Sequence, residues 1–224
     1  MIFENNGVKL FYKTVGTGSK TIIFLHGNGE TSAIFDGIAN RLMDLDFTSY
    51  LLDSRGHGQS DGVHRLTYSD MADDVLALIN HEHLTKPAIL GFSDGAIVAL
   101  LATIKSQSLI GKILLCGINL NPRGIKFRMR LLMRLSFLLY HSDLLRLMLE
   151  QPNILTKDIQ NITIPVIIFY AEYDMVKLSH SKIIESSVKG AQFVLVIGEK
   201  HQTYVLDNDK LFKYIAPYIG PDPI

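Results

Sequence analysis

The chain has 224 residues, with 22 basic and 22 acidic side chains in balance, so no broad cationic surface for nucleic acid is expected. That length suits one domain around one well-filled core. No apolar run approaches the about 20 residues of a spanning helix, Met1 to Asn6 show no basic-then-apolar leader, and Cys116 has no second cysteine to pair with, so a soluble cytoplasmic protein is expected.

Residues 8–15 alternate apolar and polar side chains as a half-buried strand does, and Gly16-Thr17-Gly18-Ser19 turns the chain. Thr21 to Leu25 reads as a short buried strand, followed by a loop at His26-Gly27-Asn28-Gly29. Thr31 or Ser32 is placed to cap a helix running to about Met43, and Phe47 to Leu52 is the next strand. Thr67 with Asp70 three residues on resembles a capping box, for a helix with Met71, Val75, Leu78 and Ile79 on one face.

Ile89-Leu90-Gly91-Phe92-Ser93-Asp94-Gly95 is the most telling run. An apolar strand feeds a turn with a serine at its tip and glycine two positions to either side, where the backbone passes too close to itself for side chains. The apolar stretch from Ala96 to Ala102 continues as a helix. Lys112 to Cys116, Ile164 to Tyr170 and Gln192 to Ile197 supply three more strands, with helices near Ser179 to Val188 and ending near Pro217. Strands alternating with helices predict an α/β fold, a mostly parallel sheet with helices on both faces. No internal repeat or low-complexity segment is present.

Between Gly117 and Ile164 the alternation breaks. Pro122 is followed by a basic amphipathic stretch from Arg123 to Tyr140 and a second short helix after Ser142. A structureless loop that long is improbable, so a short helical cap inserted at about 119–161 into a single domain, 1–224, is expected. Lys126, Arg130 and Arg134 fall at i, i+4 and i+8, with Ile125, Met129, Leu132, Ser136 and Leu139 on another side. One reading packs the leucines on the core with the arginines solvated. The other makes the apolar side a lid over the serine. A docking stripe for anionic membrane is the rival idea, and no membrane contact is expected while the leucines have a core to bury against.

Taken together, these segments resemble the α/β-hydrolase fold over nearly the whole chain. The resemblance rests on His26-Gly27-Asn28-Gly29, Asp53-Ser54-Arg55-Gly56-His57-Gly58-Gln59-Ser60, Gly91-Phe92-Ser93-Asp94-Gly95, and the late Asp174 and His201. In that family a cap is commonly inserted after the sixth strand, where this chain breaks its pattern.

A serine hydroxyl needs a positioned base, and the base needs a third group to fix its tautomer. Eight histidines compete. His201 follows the last predicted strand, and the family order of nucleophile, acid, histidine also selects it. His57 lies in a glycine-rich turn upstream of Ser93 and reads as structural. His64, His81, His83, His141 and His180 sit in loop or helix-surface contexts and are expected to be solvated or locally hydrogen-bonded. Relatives carry the acid after the sixth or seventh strand. No carboxylate follows Cys116, whereas Asp174 follows Tyr170, with Glu172 a second choice. Asp53 reads as part of a structural turn. The resemblance further implies backbone N–H donors at Asn28 and Asp94 for the developing oxyanion. Asp94 departs from the apolar or amide residue often found there, which leaves open how its carboxylate affects polarity beside the serine.

Cys116 reads as a small core residue. No Gly-x-Gly-x-x-Gly pattern and no zinc-ligand spacing occurs, so neither a nucleotide cofactor nor a metal is expected. The reading is a serine hydrolase acting on a small or medium carboxylic ester through an acyl-enzyme, monomeric, without nucleic-acid partners. The same residues serve carbon–carbon bond hydrolysis, thioester cleavage or acyl transfer. A ligand-binding receptor on the same scaffold is the non-enzymatic alternative.

Overall fold

A computed structural model describes residues 1–220 of the chain. Eight strands and eight α-helices follow in the order β1 (Ile2–Asn5), β2 (Val8–Val15), β3 (Lys20–Leu25), α1 (Asp36–Met43), β4 (Phe47–Leu52), α2 (Tyr68–His81), β5 (Ala88–Phe92), α3 (Asp94–Ser106), β6 (Lys112–Cys116), α4 (Phe127–Tyr140), α5 (Asp143–Glu150), α6 (Thr156–Ile159), β7 (Val166–Tyr173), α7 (Leu178–Ser187), β8 (Gln192–Lys200) and α8 (Asn208–Ile219). They form one sheet in the order β1-β2-β4-β3-β5-β6-β7-β8. The β1–β2 and β2–β4 pairs are antiparallel and every later pair is parallel.

Strand alternation splits the apolar residues into two cores. Ile23, Leu25 and Ile89 face one layer with α2, α3 and α7, while Ile22, Phe24 and Leu90 face the other with α1 and α8. Because α3 lies between the sheet and α2, it is buried almost all round, which its uniformly apolar sequence requires. Thr67 caps α2 as expected, its hydroxyl accepting the Asp70 N–H at 3.0 Å. Parallel strands point their C-terminal ends the same way, so the loops after β3, β5 and β7 gather at one edge of the sheet.

Several sequence expectations change. β1 went unpredicted because its four residues are too few to show a period. Neither Thr31 nor Ser32 caps α1. Ser32–Phe35 is a 3₁₀ turn, Thr31 makes no side-chain cap, and the Ser32 N–H instead donates to Asp53 Oδ1 at 2.8 Å, so a distant carboxylate starts this segment. α8 runs through Pro217 to the buried Ile219. His180 is buried on α7 rather than solvated, and its Nδ1 accepts the Leu120 N–H at 3.0 Å.

The segment between β6 and β7 departs furthest from expectation. α4 does not pack its leucines on the core: Leu131, Leu132, Leu135, Leu138 and Leu139 are all exposed, and Met133 is its one buried residue. α4 rests on α5, which supplies the buried Leu147. The root of the segment is tied to residues 175–177. Ile125 bridges Val176, the Lys126 N–H donates to the Met175 carbonyl at 2.9 Å, and the Lys177 N–H donates to the Gly124 carbonyl at 2.8 Å.

Candidate active site

Ser93 sits between β5 and α3 with φ 53° and ψ −113°, a left-handed backbone that a non-glycine residue adopts only when its surroundings force it. The two flanking glycines show what forces it. A Cβ on Gly91 would collide with the Gly95 carbonyl, and one on Gly95 with the Leu25 carbonyl. The Ser93 N–H donates to the Cys116 carbonyl at 2.8 Å, fastening the turn to the end of β6.

His201 follows directly on β8 and lies within reach. Its Nε2 is 3.0 Å from Ser93 Oγ, and its Nδ1 is 2.7 Å from Asp174 Oδ1. Asp174 is an acceptor, so Nδ1 carries the proton and Nε2 is left to accept from the serine. Asp174 Oδ1 also accepts the Val176 N–H at 2.8 Å, and the carboxylate is 1% exposed. The imidazole packs beside the Phe92 ring, centroids 5.1 Å apart. Gly117 lies beneath it at φ 68°, where a Cβ would come 2.6 Å from His201 Cε1. Gly117 therefore shapes the site, a role the sequence reading missed although the residue directly follows β6, much as Gly91 lies near the end of β5.

The Asn28 and Asp94 backbone N–H groups find no acceptor among the described residues. Asp94 opens α3, where N–H groups lack intrahelical partners and the dipole favours negative charge. Its carboxylate is buried and turned away to other partners. Asp94 Oδ2 accepts the Asn28 amide Nδ2 at 2.8 Å, and the Tyr68 hydroxyl lies against the same carboxyl. Burial pushes the Asp94 carboxyl above the usual aspartate range, and Asn28 and Tyr68 offset part of that rise. Asn28 Nδ2 also donates to the Leu144 carbonyl of α5 at 3.3 Å.

The preceding residues hold that loop. His26 Nε2 accepts the Ser54 N–H at 3.1 Å and Nδ1 bonds the Gly27 carbonyl at 2.8 Å. Burial lowers His26 to about 4, partly opposed by the Gly27 carbonyl. Glu30, which the sequence reading did not single out, accepts the Gly27 N–H at 2.9 Å, and burial raises its carboxyl. A cleft of about 130 Å³ opens over Ser93 and His201, walled by Glu30 and Phe92 and roofed by Met148 of α5 with Met175.

The other sequence candidates lie elsewhere. Glu172 accepts the Gly198 N–H at 2.8 Å on the sheet edge and does not reach His201. Asp53 spans a turn, Oδ1 taking Ser32 N–H and Oδ2 taking Gln59 N–H at 2.9 Å. His57 Nδ1 bonds the Arg55 carbonyl at 3.1 Å, and Arg55 itself forms a buried two-point pair with Asp74 at 2.6 and 2.7 Å. Cys116 is buried in the second core, and burial pushes its thiol up to about 12, so it holds no reactive thiolate. Serine and imidazole joined in this way suit nucleophilic attack on a carbonyl.

The family model for serine aminopeptidase, S33, matches residues 17–144, more than half of the chain, a span that includes Asn28, Ser93 and Asp94 and ends before Asp174. A pimeloyl-[acyl-carrier protein] methyl ester esterase of Sodalis glossinidius is 37% identical over 92 residues, covering 41% of this chain and 34% of that protein. The human serine hydrolase BPHL is 35% identical over 121 residues, 51% of this chain and 41% of its own. These matches thus span well under half the length of the curated relatives. Among solved structures, MGS-M2, an α/β-hydrolase enzyme from a Medee basin deep-sea metagenome library, superposes over 100% of this chain and 98% of its own with TM-score 0.86 at 16% identity. An esterase from Exiguobacterium antarcticum covers 96% of both chains with TM-score 0.83 at 18% identity. At such identities the superpositions speak for the fold.

Proposed function

The chain belongs to the serine aminopeptidase S33 family of α/β-hydrolases, and from that premise we propose that it is a serine hydrolase cleaving a small or medium carboxylic ester. The observation that carries the reading is the unbroken run from Ser93 Oγ through His201 to Asp174, at 3.0 and 2.7 Å. Ser93 Oγ attacks the ester carbonyl while His201 Nε2 takes the hydroxyl proton. Asp174 keeps the imidazole in the required tautomer and stabilises the imidazolium. The carbonyl oxygen gathers negative charge and is met by the N–H groups of Asn28 and Asp94. His201 then returns its proton to the leaving alcohol, and water clears the acyl-enzyme with the same base.

In this reading residues 119–161 act as a cap, supported by Met148 over the cleft and by the contact of Leu144 with Asn28. The named relatives that hydrolyse esters support the choice of bond. A cytoplasmic, monomeric enzyme is part of the proposal, the compartment supported by a composition with a single, buried cysteine.

A panel of p-nitrophenyl esters and matched thioesters, run with Ser93→Ala as the blank, tests it. Ester turnover and fluorophosphonate labelling are expected in the native chain and absent from the variant. Undiminished labelling of a folded Ser93→Ala protein, or turnover of thioesters alone, overturns it.

A further inference from the structure

The outward face of α4 is unlike that of a solvated helix. Phe127, Leu131, Leu132, Leu135, Leu138 and Leu139 are 45–75% exposed. At 3.6 residues per turn they share one arc, and Arg128 and Arg134 lie within and beside it. The premise for expecting no membrane contact, that these leucines bury against the core, does not hold for this helix.

Charge tells what covers such a face. Residues 123–134 hold five cations, Arg123, Lys126, Arg128, Arg130 and Arg134, and no carboxylate occurs before Asp143. None of the five forms an ion pair among the described residues, whereas Arg41, Arg55, Lys105 and Arg146 all do. Arg123, Arg130 and Arg134 also line an open cleft of about 460 Å³ beside α4. Its one carboxylate, Glu150, already faces Arg65 at 3.4 Å.

We infer that α4 docks this protein on an anionic lipid surface. The leucines enter the boundary between headgroups and acyl chains while the arginines meet lipid phosphates. Fourteen residues make a helix of about 21 Å, too short to cross a bilayer and long enough to lie along one. A second copy is the poorer occupant, because a two-fold interface through α4 would set five unpaired cations against five. The inference does not depend on the role of Ser93, and its test reads binding rather than turnover.

The test is co-sedimentation of the full chain with vesicles of phosphatidylcholine, alone or mixed with phosphatidylglycerol. The native chain should pellet with the mixed vesicles, stay in solution with phosphatidylcholine, and be released by added salt. Arg128→Gln with Arg134→Gln should weaken the mixed-vesicle partition about 25-fold, at about fivefold for each basic residue near an anionic leaflet. Leu131→Ser with Leu135→Ser should abolish it. All four side chains are exposed, and unchanged circular-dichroism melting verifies the fold of both variants. A native chain left in the supernatant with the mixed vesicles overturns the inference, as does pelleting indifferent to the arginines. Light scattering that gives a dimer, split by the leucine variant, overturns it in favour of a second copy.

Discussion

Asp94 and Asn28, 66 residues apart in sequence, are joined at 2.8 Å by the carboxylate of one and the amide of the other. Each also carries a free backbone N–H beside Ser93. The side-chain bond therefore fixes the spacing between the loop after β3 and the start of α3, the two segments whose N–H groups are the proposed oxyanion donors. Removing Asp94 should act on catalysis through Asn28. Asp94→Ala is expected to lower kcat by about 10²-fold, the scale of losing one oxyanion donor, with KM little changed. Asp94→Asn keeps an acceptor for Asn28 and should recover most of the rate. Steady-state kinetics of the two variants decide it, and equal losses would show that the bond does not position Asn28.

Asp174 and Asp53 both end strands, yet only Asp174 touches His201. Asp174→Asn should reduce kcat by about 10⁴-fold, because an amide N–H facing Nδ1 selects the wrong tautomer. Asp53 holds two backbone N–H groups. Burial alone would raise its carboxyl, but the hydrogen bonds from Gln59 and Ser32 outweigh it and hold the group below the ordinary range. Asp53→Asn should therefore cost about 1–3 kcal/mol of stability while kcat stays near native. Urea melts beside kinetics separate the two, and the reverse ranking would show Asp53 to be the catalytic acid.

His26 supplies a pH dependence whose sign is fixed. The folded protein holds it at about 4, below the ordinary histidine value. The unfolded chain thus binds the extra proton first as pH falls. Stability from this group is complete above the ordinary value near ~6.5 and is lost progressively down to about 4, by about 3 kcal/mol in all. Protonation would also place an N–H on Nε2, which accepts from Ser54. Urea unfolding of the native chain between neutral and acid pH should fall more steeply than that of His26→Gln. Parallel curves would remove His26 as the cause.

In the proposed reaction the acyl group must fit the cleft over Ser93. Its volume is about 130 Å³. Each methylene that fits gains about 0.8 kcal/mol from burial. Activity should climb with acyl length to an optimum between acetyl and octanoyl esters and then fall, with little turnover of long-chain emulsions. Rates on a graded p-nitrophenyl series check this, and a maximum at palmitoyl would show that the Met148 roof lifts away. Met148→Ala should move the optimum to longer chains.

Much of the fold was legible because it is local. Alternation over residues 8–15 and the apolar runs before Ser93 and Ala171 identify strands without any partner in view, and Gly91 with Gly95 mark the strained turn. The glycine pattern picked out Ser93, while Asp174 and His201 were read from the family resemblance and its chain order, and the structure brings the three together. What stayed hidden is long-range. Nothing near Asp94 announces Tyr68 or Asn28, and Ser32 gives no sign that Asp53 will start its helical turn. The leucines of α4 are the instructive case. A periodic apolar stripe says that a helix face is to be covered, and the sequence reading looked for that cover within the same chain, in its core or over the serine.

Residues 124–126 are joined to 175–177, directly after Asp174. The base of the roof and Asp174, the proposed catalytic acid, therefore share one piece of backbone, and a change that shears one drags the other. For anyone transplanting a roof from a relative, the seams belong beyond that shared stitch, near residues 127 and 150. A graft cut at residue 117 would discard the backbone that holds 175–177 beside Asp174, and under the proposed function the loss should surface as slower turnover instead of an altered substrate range.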